Sequence, residues 1–108
     1  GLERVLPAFE AADGLALLDL AEAERARAAG WRKPILLLEG FFEPRDLALV
    51  ERLSLSSVVH DEGQIRLLAA QPPSRPIDVQ IKLNTGMNRL GFAPARFADV
   101  AARLQAIA

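Results

Sequence analysis

Lys82 and Arg89 are the two residues whose type and spacing suggest chemistry. They lie in the stretch IKLNTGMNRLGF, Ile81 to Phe92. Read in alternation, the strand pattern IDVQIKL (Ile77–Leu83) and the residue after it put Asp78, Gln80, Lys82 and Asn84 on one face. Ile77, Val79, Ile81 and Leu83 fall on the other. If helices cover the apolar face, Lys82 looks into the opposite side of the sheet. A buried ammonium there carries a heavy desolvation cost unless it is paired or neutral. Arg89 follows across a short glycine-containing turn and cannot pair with Lys82 while both are cations. A neutral amine can instead add carbon dioxide and lose a proton, giving a carbamate. That anion would accept hydrogen bonds from Arg89 and hold its planar fork toward a carboxylate or phenolate oxygen. This is a hypothesis, and a mass measurement finding unmodified Lys82 in the assembled protein would remove it. The plain alternative stays open at this level: Lys82 ends the strand and reaches solvent on its aliphatic stem, and Arg89 is a surface loop residue.

Other residues say less. Gly86 and Gly91 have the glycine spacing of a phosphate loop, but Phe92 and Ala93 stand where Lys and Ser or Thr are required. His60, the single histidine, closes a strand pattern, where α/β sites gather. A lone histidine there reads first as structural. Asp19 and Glu39 also end strand patterns and read first as caps of the following helices. Met87 reads as a turn residue or core filler, and Trp31 as the cover of a helix-to-strand corner.

The elements that must position these groups follow from four apolar runs: LALLD (Leu15–Asp19), ILLLE (Ile35–Glu39), SVVH (Ser57–His60) and IDVQIKL. ILLLE is apolar on both faces, which suggests a parallel strand covered on both sides. Between the runs lie helical patterns. The segment from Ala21 closes at Gly30, a helix-ending residue. The segment from Glu43 opens on Pro44, suited to a first helical turn. The third opens on Asp61, a good N-cap, and is stopped by Pro72 and Pro73. In the last segment, Phe97, Val100, Leu104 and Ile107 form one stripe. Leu2–Ala12 predicts one more helix. The order is α-β-α-β-α-β-α-β-α, and its strict alternation argues for a parallel sheet with right-handed crossovers. Two architectures fit: a small doubly wound sheet, or part of an eight-stranded (β/α) barrel, which normally takes about 250 residues.

Composition sets limits. With 51% hydrophobic residues the chain can bury a core and is not a disordered segment. A net charge of −1, with both signs interspersed, gives no electrostatic case for nucleic acid or an anionic membrane. The absence of cysteine excludes disulfides and thiolate metal sites, and agrees with a cytosolic setting. No metal site is expected. No apolar run approaches the ~20 residues of a membrane helix, and the N-terminus lacks a signal-peptide core.

The stretch KLNTGMNRLGF resembles the signature of bacterial alanine racemases, Lys-x-Asp/Asn-Ser/Thr-Gly-Met-x-Arg-x-Gly. PILLLEGFFEPRDL and DGLALLDLAEAERARAAG are similar to earlier segments of that family in the same order. The resemblance covers essentially the whole chain and implies that residues 1–108 are part of the N-terminal (β/α) barrel domain, carrying barrel strands two to five. It implies pyridoxal 5'-phosphate as cofactor, a small amino acid as substrate, a homodimer, a cytoplasmic setting, and interconversion of L- and D-alanine for cell-wall peptidoglycan. It also implies that Lys82 is carbamylated and orients Arg89, and that Arg89 contacts the substrate carboxylate and the phenolic oxygen of the cofactor. Asn84 stands where many members have Asp, keeping a hydrogen-bonding group with one charge fewer. The family's Schiff-base lysine belongs to a segment preceding Gly1, and its catalytic tyrosine to later strands or the second domain. The 108 residues alone are therefore expected to hold no catalytic residue and to be inactive. Two other readings remain. One is a non-catalytic folded fragment whose first and last strands leave open edges. The other is a small flavodoxin-like binding module, disfavoured because the turn Leu18–Glu22 has no glycine and carries acid.

Overall fold

The computed structural model describes residues 1–86 and 90–107. Four strands, β1 (Leu15–Leu17), β2 (Ile35–Leu37), β3 (Ser56–Val59) and β4 (Val79–Ile81), alternate with α1 (Leu2–Val5), α2 (Leu20–Ala28), α3 (Pro44–Arg52), α4 (Glu62–Ala70) and α5 (Phe97–Gln105). The strands form one parallel sheet in the order β1-β2-β3-β4. This order decides between the two architectures. A doubly wound sheet reverses strand order at a switch point and carries helices on both faces. Here the order never reverses, and among the described residues the helices pack on one face, as in a segment of a (β/α) barrel.

Register shows which face that is. Leu17, Leu37, Ser57 and Val79 lie side by side, as do Leu15 with Ile35 and Val59 with Ile81. Ile35 and Leu37 pack with Ala23 and Ala26 of α2 and Val50 of α3. Val59 packs with Leu47 of α3, Ile65 and Leu68 of α4 and Val100 of α5, with Val79 and Ile81 at the edge of the cluster. Each fully buried Val, Leu or Ile among them stabilises the fold by about 1.5–3 kcal/mol relative to exposure.

Local chemistry sets the ends of the helices. Asp19 caps α2, its Oδ1 accepting from Ala21 N at 2.9 Å, as its position in the sequence suggests. At the other end, Trp31 N donates to Ala26 O and Gly30 N to Arg27 O, with Gly30 at φ +100°. This is a Schellman ending, for which glycine carries no steric penalty. Helix α3 ends the same way, but with Ser54 in the left-handed position at φ 52°. Trp31 is buried in the cluster beneath α2 and β2, at the corner expected for it, with Lys33 Nζ 5.4 Å from its ring centre. The expected helix over Leu2–Ala12 is broken: α1 stops at Val5 and Leu6–Phe9 form a 3₁₀ turn. Pro7 accounts for this, since its ring clashes with the carbonyl four residues back and it has no N–H to donate.

An ion cluster joins α4 to the last helix. Glu62 accepts from Arg103 Nη1 at 2.7 and 2.9 Å and from Arg96 Nη2 at 2.6 Å. The hydrogen bonds from Arg103, then those from Arg96, hold the Glu62 carboxyl down to about 2. A depressed acid stabilises the fold above its unfolded value, near 4.5, and that contribution is lost as pH falls toward 2. The urea midpoint of Glu62→Gln is therefore expected below that of the parent chain at pH 6, with the gap closing between pH 4.5 and 2. A gap unchanged across that range would show that the cluster does not contribute.

Candidate functional site

The site is built at the C-terminal ends of the strands, on the face opposite the helices. Lys82 N donates to Val59 O at 2.9 Å, carrying the ladder one residue beyond β4. The chain then leaves the sheet and returns beside itself. Phe92 N donates to Lys82 O at 2.9 Å and Asn84 N to Phe92 O at 2.7 Å, so Leu83 and Phe92 form a bridge. Asn84 Oδ1 accepts from Gly86 N at 3.1 Å, which shapes the first bend of the loop. The return requires Gly91: its φ is +114°, and a Cβ there would lie 2.9 Å from Lys82 O. The loop's two ends are thus fastened to the backbone of Lys82. Arg89, with Met87 and Asn88, lies outside the described residues.

Beside Lys82 is a cavity of about 400 Å³. Its walls include Leu36, Leu38 and Val58, and its polar groups are Gln80, Lys82 and Glu39. The alternation read from the sequence therefore puts Gln80 and Lys82 on the correct face. The expected burial does not follow: Lys82 is exposed, and so are Leu18 (60%) and Leu38 (38%) on the same face. Among the described residues no further element closes over these three side chains, so they meet water, while Val58 on the same face is buried. Strand β2 is fully buried on the helix side at Ile35 and Leu37 and half-buried on the cavity side at Leu36.

Glu39 also differs from expectation. It does not cap the next helix. The N-cap of α3 is Glu43, whose box partner Asp46 accepts from Phe42 N and Glu43 N at 3.0 and 3.1 Å. Glu39 lines the cavity instead. His60 is buried, as a structural histidine should be. Its Nε2 lies 2.8 Å from Glu39 O, and its ring is tilted against Phe42 at 5.9 Å. Because a carbonyl oxygen only accepts, Nε2 carries the proton in this contact.

The sequence reading missed Gln64. It is 1% exposed and uses both ends of its amide. Oε1 accepts from His60 N at 2.7 Å and Asp61 N at 3.3 Å. Nε2 donates to Glu39 O at 2.9 Å and Phe41 O at 3.2 Å. Its own N–H donates to Asp61 Oδ1 at 3.0 Å. The available signal was the capping box, an Asp followed three residues later by Gln. That pattern announces the contacts to Asp61 but not those to Glu39 and Phe41. Among the described residues, no helix is long and apolar enough to cross a membrane.

Comparison with known proteins places this geometry. The alanine racemase N-terminal domain family matches residues 1–108. The alanine racemase of Acidovorax sp. (strain JS42) is 60% identical over 99% of this chain, and that of Verminephrobacter eiseniae (strain EF01-2) is 58% identical over 100% of it. The chain spans 29% of the length of each. The crystal structure of biosynthetic alanine racemase from Pseudomonas aeruginosa superposes with a TM-score of 0.91 at 40% identity, covering 97% of this chain and 30% of that one. The alanine racemase structure from Acinetobacter baumannii gives 0.89 at 28% identity, covering 99% and 31%.

Proposed function

The chain belongs to the family of alanine racemase N-terminal domains, and from that premise we propose that a protein containing it interconverts L- and D-alanine with pyridoxal 5'-phosphate, supplying D-alanine for peptidoglycan. The supporting observation is Lys82 on a cavity at the C-terminal rim of the sheet, at the head of the KLNTGMNRLGF stretch. Catalytic groups of (β/α) barrels gather at that rim. The cavity suits a flat aromatic cofactor. Leu36, Leu38 and Val58 supply apolar wall, and Gln80, Lys82 and Glu39 supply the polar groups. When bound, the cofactor provides an electron sink that makes the substrate's Cα acidic.

The chain's own residues would bind and orient. Lys82, carbamylated, accepts hydrogen bonds from Arg89 and fixes its guanidinium. Arg89 would hold the substrate carboxylate and the phenolic oxygen of the cofactor. The apolar walls reduce access of water to the reacting carbon. Moving protons at Cα falls to groups that this sequence does not contain. It has no tyrosine. Of its two lysines, Lys33 donates to Ala12 O at 2.8 Å and to Glu10 O. That anchors it before β2, at the end of the sheet away from the cavity. The 108 residues are therefore part of the N-terminal barrel domain and inactive alone. The whole protein works as a cytoplasmic homodimer on a small amino acid.

The carbamate supplies the test. Full-length protein equilibrated with ¹³C-bicarbonate is expected to show one carbamate carbon resonance that disappears in Lys82→Arg. An unmodified amine at saturating bicarbonate, in protein that racemises alanine at full rate, would overturn the role given to Lys82.

A further inference from the structure

We infer that Gln64 is a positioning residue for the cofactor cavity, setting the wall formed by Leu38 and Glu39 through its side-chain amide. The inference rests on the racemase reading above, because that reading says what occupies the cavity. A capping box at the start of α4 needs only an acceptor at Gln64, and glutamate serves that purpose as well as glutamine. Only the amide can also donate, and Nε2 gives its hydrogens to Glu39 O and Phe41 O. Those carbonyls belong to the turn leaving β2, not to α4. The same Glu39 carbonyl takes a second hydrogen bond from His60 Nε2 at 2.8 Å.

The turn is thus held from β3 and α4 at the point where strand pairing stops. The last ladder bond from β2 to β1 is Leu38 N to Leu17 O at 2.8 Å. Beyond it, the two side-chain donors take over. Between the two carbonyls, Gly40 passes so close that an added Cβ would lie 2.5 Å from both Gln64 Nε2 and Val58 O. Leu38 and Glu39 line the cavity, so the placement of that wall depends on the amide. A carboxylate at residue 64 would keep the cap, turn an acceptor toward the two carbonyls and push the wall away.

The experiment uses the full-length apoprotein and titrates pyridoxal 5'-phosphate by absorbance, with urea unfolding measured in parallel. Gln64→Glu is expected to raise the Kd about tenfold and to raise KM for alanine more than it lowers kcat. A purely structural role would lower the urea midpoint and leave Kd unchanged, and a Kd within twofold of wild type overturns the inference. Should Gln64→Glu fail to fold, His60→Leu removes one of the two donors to Glu39 O. It is expected to raise Kd about threefold, and no change again overturns the inference. The two readings fail differently. A wild-type protein that neither binds the cofactor nor racemises alanine removes the racemase reading and this inference with it. A wild type that does both, alongside variants that bind equally well, removes only the role of Gln64.

Discussion

Replacing Lys82 by alanine in the full-length protein is expected to lower kcat/KM for alanine about a hundredfold, equivalent to ~2.7 kcal/mol. Removing one partner of a hydrogen-bonded charge pair in a site typically costs about 2–5 kcal/mol. On the roles proposed above, Arg89 would lose the anion that fixes its fork, and the substrate carboxylate would meet an unsupported guanidinium. The fold should hardly respond. The backbone N–H of Lys82 to Val59 O and its carbonyl from Phe92 N both survive the substitution, so the loop keeps its root. Steady-state kinetics and urea unfolding on the same preparation separate the two effects. Wild-type kcat/KM in Lys82→Ala would remove Lys82 from the site, whatever its place on the cavity. A large drop in urea midpoint would instead mark the loss of activity as a folding defect.

The placement of Lys82 was legible because period-2 alternation is a local property. Four apolar side chains from Ile77 to Leu83 fix one face, and the polar ones between them must take the other. The helix endings were legible for the same reason, since Gly30, Pro44 and Asp61 each act within one turn of their own position. Strand order was not legible from pattern. Doubly wound sheets and barrels share the same βα units, and only the pairing of β1 with β2, β2 with β3 and β3 with β4 separates them. The resemblance supplied that answer ahead of the geometry. The exposure of Lys82, Leu18 and Leu38 was also out of reach, because burial of an inner face depends on whatever layer lies over it. Glu39 was misread as a cap because the capping box of α3 lies four residues further on, at Glu43 and Asp46. The second half of Gln64's network was hidden for a related reason. Its contacts to Glu39 and Phe41 join residues more than twenty positions apart, and such contacts leave no period in the sequence.

Two glycines with similar φ angles should respond very differently to alanine, and the contrast tests the packing at the cavity rim. Gly30 has φ +100° and nothing within 4 Å of an added Cβ. Gly30→Ala is expected to cost only the left-handed penalty, about 1–2 kcal/mol. Gly40 has φ +86°, so the same penalty applies, but its Cβ would lie 2.5 Å from Val58 O and Gln64 Nε2 and 3.0 Å from Ser57 Oγ. Ser57 and Gln64 are fully buried and Val58 nearly so. None of these is the loose end of a flexible side chain. Interiors packed this densely relax little around an extra methyl group, and overpacking adds about 1–3 kcal/mol. Relief by moving the turn would stretch the bonds to Glu39 O and Phe41 O, each worth about 1 kcal/mol net. Gly40→Ala is therefore expected to cost about 2–5 kcal/mol, more than Gly30→Ala, in urea unfolding of the full-length protein followed by a probe of the N-terminal domain. Equal losses at the two positions would mean that the turn after β2 is not pressed against the Gln64 amide. The wall of the cavity would then have to be held by something other than the contacts at Glu39, Gly40 and Phe41.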